Sequence, residues 1–348
     1  MKKKKTKLII IIAISLVVLG TCAYLYFGTS LFKGDEKSSK KSSNNKPQKE
    51  EKQVQIVDMN STTRPYAIMI NNLYVARPLQ SGLQDAIIIY EMIVEGGITR
   101  YLAIFQDANV DRIGPVRSSR HYYIDYAMEN DAIYCHNGQS PQAASYFSKY
   151  GIDRIEVESP KTGIRDTKLN VSREHTLFTS TSLLANGIGK KRTTRKGGFL
   201  LDYSVDSLDL ASKEGAIPAN SVDIRYSNST KSSYTYDPEL KVYKRFVNGK
   251  EHTDYVTKEQ YTFKNIITYQ VKNTNLNDGE NKGRQGLHNL GSGTGYYISE
   301  GYAVPITWEK SEHDKKTIYK FNDGTNLKVN DGNTFIQIQP SGESLVIE

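Results

Sequence analysis

Runs of apolar and polar positions divide the chain into stretches of different character. Residues 8–27 form a run of 20 without a charge. As a helix rising ~1.5 Å per residue, that run covers the ~30 Å hydrocarbon core of a bilayer. Residues 28–53, with Ser38-Ser39-Lys40-Lys41-Ser42-Ser43-Asn44-Asn45 at their centre, have little to bury and read as a disordered stalk. Beyond Val54, apolar segments of strand and helix length follow one another. Residues 67–70 predict a short strand, and residues 86–92, apolar on both faces, predict a central one. Gly96-Gly97 permits a reversal into a partner strand at 100–106. Gly114-Pro115 breaks the chain before a helix expected over 118–128, and residues 132–135 predict another strand. Ser140-Pro141 is a good cap and first-turn pair for a further helix, which Gly151 ends.

From the basic, Gly-rich stretch 190–198 onward the period changes to that of antiparallel β-structure. Residues 241–247, Asn248-Gly249 and 250–256 carry a strong hairpin signal, and Asp323-Gly324 and Asp331-Gly332 punctuate the end similarly. The expected fold class is α+β. A mixed α/β domain over 54–195 is followed by a β-rich, mainly antiparallel domain over 196–348.

Charge sharpens this picture. The net +8 comes entirely from residues 1–53, where 12 lysines face 4 acidic residues; the remainder holds 34 basic and 34 acidic residues. A folded part with no surplus of its own argues against a nucleic-acid partner. The lysines within residues 1–7 keep that end in the cytoplasm by the positive-inside rule, so a single-pass protein with an extracytoplasmic bulk is expected at the cell membrane. A cleavable signal would have a shorter apolar region. Lipidation at Cys22, as in a lipoprotein, is the alternative. Thr21 stands where a small residue is preferred, and residues 23–27 stay apolar where such a chain turns polar. Cys135 is the only other cysteine, so no disulfide framework is available to the exported part.

Certain strings are specific. Glu91-x-x-x-Glu95-Gly96-Gly97-Ile98-Thr99-Arg100, then Ile113-Gly114-Pro115-Val116-Arg117-Ser118-Ser119-Arg120, then Ala132-Ile133-Tyr134-x-His136 and Ser140-Pro141-Gln142-Ala143 resemble the YerB-like family. Upstream Ala76-Arg77-Pro78 and downstream Tyr243-x-Arg245, Asn265-Ile266-Ile267, Gly291-x-Gly293 and Trp308 fit it too. The resemblance implies an exported, usually lipid-anchored protein with an α/β domain before a smaller β-rich one. It supplies no reaction. Gln139 and Glu174-His175-Thr176 depart from the family's pattern.

The candidate chemistry gathers at the expected strand ends. If strand 100–106, helix 118–128 and strand 132–136 form a crossover, the strands are parallel, and Arg117 faces the turn of His136 to Ser140. A helix opening at Ser118 would make an anion seat with Arg117 and Arg120. Arg77, Arg100, Arg165, Ser140 and His175 complete the ligand-binding candidates; His136, Glu91 and Glu95 are the acid–base candidates. The competing structural role for the arginines is pairing with carboxylates such as Glu91, Asp107 or Asp111. Scattered histidines and the absence of Cys-x-x-Cys predict no metal, and no cofactor is expected. The favoured function is a non-enzymatic envelope protein, tethered to the membrane, that binds a cell-wall polymer or modulates a wall-synthesis protein. The alternative is an enzyme acting on a phosphate-bearing envelope precursor, since the order of motifs is loosely similar to that of the LytR-CpsA-Psr phosphotransferases.

Overall fold

The computed structural model describes residues 52–348. The apolar run at 8–27, Cys22 and nearly all of the stalk lie outside the described residues. Among the described residues, no helix is long and apolar enough to cross a membrane.

The chain builds its centre from short, apolar strands. Tyr66–Asn71 (β1), Ile88–Ile93 (β2) and Thr99–Phe105 (β3) are buried almost throughout. Gly96 and Gly97 turn β2 into β3 with φ of 68° and 71°, values that cost a side chain its Cβ clearance, and the two strands pair antiparallel. Ile133–His136 (β4) and Arg154–Glu156 (β5) add parallel to β1. His121–Glu129 (α1) precedes β4 and Pro141–Tyr150 (α2) follows it. Ser140 Oγ accepts from Ala143 N at 3.1 Å, and Gly151, at φ 59°, closes α2.

Past residue 200 the chain is almost all strand, and the structure as a whole is strand-rich. Ser221–Arg225 (β6), Lys231–Asp237 (β7) and Val242–Val247 (β8) form a meander. Asn265–Val271 (β9), Gly291–Ser299 (β10), Tyr302–Lys310 (β11) and Ile318–Phe321 (β12) come next. Thr334–Pro340 (β13) and Leu345–Ile347 (β14) end the chain. The main sheet runs β12-β11-β10-β9-β13-β2-β3-β1-β4-β5. Its strand β13 lies parallel to both β2 and β9, so strands from either side of residue 196 share one hydrogen-bonded surface. The smaller sheet carries β8, β7, β6 and β14 in that order.

Two faces of the main sheet are covered differently. On β2, Tyr90 points toward the helices, where its hydroxyl donates to Glu129 at 2.7 Å, and Glu91 points toward the smaller sheet. The smaller sheet buries alternate residues of β8 (Tyr243, Arg245, Val247) against the main one, leaving the others partly exposed.

Two expectations change. α1 begins at His121, because Ser119 is held in extended form by bonds to Gly138 and Ser140 (Ser119 N to Gly138 O, 2.9 Å; Ser140 N to Ser119 O, 3.2 Å). The strands at 99–105 and 133–136 do not form a parallel crossover. β3 is antiparallel to β1, β1 is parallel to β4, and β1 sits between them. The hairpin from β2 fixes the direction of β3 and leaves the parallel position to β1.

Each layer boundary contains a buried ion pair. Glu91 and Arg245 meet at 2.7 Å with neither side chain exposed, and Lys310 meets Glu129 at 2.8 Å on the helix side. Replacing Glu91 or Arg245 singly with Ala strands a buried charge and is expected to lower unfolding free energy by ~3–5 kcal/mol. The double replacement is expected to fall short of the sum of the singles by at least ~1 kcal/mol, measured by urea unfolding of all four proteins.

Candidate functional site

Strands β1, β2, β4, β5 and β13 run in one direction, so their carboxyl ends share an edge. At that edge Glu91 anchors a polar network between the sheets. Its Oε1 accepts from Thr99 Oγ1 at 2.6 Å; its Oε2 accepts from Arg245 Nη2 at 2.7 Å and Ser232 Oγ at 2.9 Å. Asn72, just past β1, donates to Thr99 at 2.8 Å. The guanidinium of Arg245 also donates to Tyr234 (3.1 Å) and to His252 Nδ1 (2.8 Å). Arginine can only donate, so His252 accepts at Nδ1 and its Nε2–H donates to Gln80. Burial, and then the charge of Arg245, hold His252 well below the usual imidazole range, which keeps it neutral.

This network floors an open groove of about 370 Å³ lined by Tyr74, Arg77, Pro78, Lys250, Glu251 and His252, among others. Arg77 spends Nε on Asn72 Oδ1 (3.0 Å) and Nη2 on the Asn72 carbonyl (3.1 Å). Among the described residues Arg77 and Lys250 form no ion pair, so the groove keeps two cations against Glu251. Tyr74 stands 72% exposed at its rim and offers a ring face.

Of the other arginine candidates, Arg100, Arg117 and Arg120 are matched by acids. Glu95 receives Arg120 at 2.5 Å and 2.9 Å, with Arg100 at 3.9 Å. Arg100 is buried and bonds the Ser118 carbonyl; burial, followed by the neighbouring Arg120, lowers its pKa to about 10. Arg117 pairs with Glu174. His175 is buried, and its Nδ1 takes the Asn71 amide at 2.9 Å. Arg165 lies in the same loop, bonded to the Arg173 carbonyl at 2.7 Å. The edge thus gathers Arg77, Arg100, Arg117, Arg120 and His175 near the Asn71-Asn72 corner, and of these Arg77 lines the groove; Arg165 is part-exposed and, among the described residues, pairs with no carboxylate. Among the described residues no three His, Cys, Asp or Glu side chains come together to hold a metal.

Residues 54–195 match the family model described as protein of unknown function (DUF3048) N-terminal domain, and residues 222–336 match its C-terminal counterpart. The chain belongs to the YerB-like family. It is 29% identical over 284 residues to "Putative lipoprotein YerB" of Bacillus subtilis (strain 168), covering 80% of this chain and 81% of that one. The crystal structure of the YerB protein from Bacillus subtilis is similar to it with a TM-score of 0.69 at 26% identity, over 82% of this chain and 94% of that one.

In this YerB-like chain two of the acid–base candidates, Glu91 and His136, are enclosed, and the third, the part-exposed Glu95, is held by Arg120. Glu91 is saturated by the network above. His136 is fully buried, bonds the Gly138 carbonyl through Nδ1 at 2.9 Å and stacks on Phe147 at 5.0 Å. Ser140 caps α2, as its position before Pro141 implies. Sequence reading overlooked Asn72, Tyr74, Ser232, Lys250 and His252 as parts of the site. The signal for the network was present in β8, where Arg245 occupies the same phase as Tyr243 and Val247 and therefore faces inward.

Burial depresses the His136 pKa from 6.5 to about 4. The unfolded ring takes up its proton near pH 6.5 and the folded one only near pH 4, so the stability that neutral His136 contributes is complete above pH 6.5 and is lost as pH falls toward 4. His136→Asn is expected to remove up to about 3 kcal/mol of the stability difference between neutral and acid conditions, read from unfolding curves at both ends.

Proposed function

We propose that this YerB-like chain is an exported, membrane-tethered envelope protein that binds an anionic cell-wall component in the Arg77 groove. The observation that carries this reading is the contrast among the arginines. Arg100, Arg117 and Arg120 each have a carboxylate, whereas Arg77 is held rigid by Asn72 and keeps its charge for something outside the fold. A guanidinium held in place loses less freedom on binding a carboxylate or phosphate than a mobile lysine would. Tether and export rest on the uncharged run at 8–27 behind its lysines, and the lipoprotein name of the Bacillus relative is consistent with attachment to the membrane. Binding is favoured over turnover because Glu91 and His136, the groups best suited to proton transfer, have no exposed surface.

Arg77→Ala is expected to weaken retention of the purified protein on isolated cell wall at least tenfold, with Arg117→Ala within about twofold of the parent. Equal losses in both variants would remove the special role of Arg77. A phosphatase reporter fused after Gln53 is expected to be active only on the outer side of the membrane; activity confined to the cytosol would end the envelope reading.

A further inference from the structure

The basic stretch at 190–198 has no role in the groove, which lies at the opposite edge of the main sheet. Residues 62–64 and 193–195 run side by side next to the start of β1 (Arg64 N to Thr193 O, 2.7 Å; Arg195 N to Thr62 O, 2.8 Å). The chain also enters the folded part at this edge, where Asp331 accepts from the backbone of Gln55 and Ile56 at 2.7 and 2.9 Å. Here a cavity of about 660 Å³ opens between the starts of β4 and β5 and the loop joining β11 to β12.

Its wall holds Arg64, Arg192, Lys196, Lys315 and Lys316 against Glu129, Asp131, Asp153 and Asp314. Most of the acids are engaged. Lys310 occupies Glu129, Arg64 takes Asp153, Arg192 takes Asp131, and Lys315 lies 3.5 Å from Asp314. Among the described residues Lys196 and Lys316 are left without a carboxylate. The ammonium of Lys316 donates to the carbonyls of Gly198 and Phe199 at 2.7 and 2.9 Å, a solvation shell that leaves its charge uncompensated. Beside it Arg195 lies over the Phe199 ring at 3.9 Å and donates to Gly197 and Gly198. Its Nη1 is buried with no hydrogen-bond partner. Arg195 stands outside the basin's wall and, through the Gly198 carbonyl that it shares with Lys316, fixes the loop on which Lys316 rests.

We infer that this basin is a second ligand site, which takes a phosphate group between Lys196 and Lys316 on its wall. A phosphate supplies several acceptor oxygens and a charge that matches two neighbouring ammonium groups. A planar carboxylate, with only two oxygens, reaches fewer of these donors. Because the tether enters at the same edge, the phosphate of an anionic lipid headgroup and free phosphate share this chemistry as sources.

The test uses the full chain, in nanodiscs of neutral lipid, in nanodiscs containing anionic phospholipid, and in neutral discs with added inorganic phosphate. Hydrogen exchange of residues 195–199 and 314–316 is the readout. At least a fivefold slowing is expected with anionic lipid or with phosphate, and its loss in K196E, an exposed side chain, as well as in K196E/K316E; because Lys316 also holds the Gly198 and Phe199 carbonyls, loss in the double variant alone counts against the site. Slowing by lipid alone assigns the headgroup; slowing by phosphate alone assigns a soluble ligand. No slowing in either, or slowing that survives K196E/K316E, overturns the site. Arg77→Ala should leave the response unchanged, so failure of the groove reading and failure of this one are distinguishable.

Discussion

The fold depends on bringing Glu91 and Arg245 together out of water. A charged pair removed from solvent repays its desolvation only when every remaining lone pair and proton finds a partner. Here Thr99, Ser232, Tyr234, His252 and Asn72 supply those partners from both halves of the chain. The pair therefore fixes the register of the smaller sheet on the main one more tightly than apolar contact could, since a shift of one residue in β8 would exchange Arg245 for Lys244 or Phe246 and leave Glu91 buried alone. The same network immobilises Asn72, and Asn72 holds Arg77. Packing, charge and the proposed site are consequences of one arrangement.

The helix side repeats the device. Glu129 on α1 accepts from Lys310 of β11, from both the amide and hydroxyl of Thr317, and from Tyr90 of β2. In both pairs the acid comes from the segment before residue 196 and the base from the segment after it. Strand β13, close to the chain end, is laid between β2 and β9. The main sheet cannot close until residues 334–340 are available, so the matched family segments act as parts of one cooperative structure and not as beads on a string.

Much of the local structure was legible. The Gly96-Gly97 hairpin, the buried central β2, the Ser140-Pro141 cap and the Asn248-Gly249 turn follow from short-range chemistry, and each is observed within a few residues of its expected place. The start of α1 was not legible, because the tertiary contact with Gly138 and Ser140 decides it. Nor was the antiparallel relation of β3 to β4, which depends on where β1 inserts. Among site residues, sequence could nominate the arginines but not sort them. Whether an arginine is spent or free depends on carboxylates brought from far along the chain, such as Glu174 for Arg117, and spacing carries no information about that.

The sorting matters because the chain beyond residue 53 is neutral, with 34 basic and 34 acidic residues. Such a protein exerts little long-range pull on a polyanion, and at physiological salt the field of any one charge fades within ~8 Å. What it retains is local: Arg77 beyond the end of β1, and Lys196 and Lys316 beyond its beginning. The six residues of β1 separate these by roughly 20 Å, more than two screening lengths. In the proposed reading the two edges are therefore independent short-range sites, and occupation of one would exert little electrostatic influence on the other.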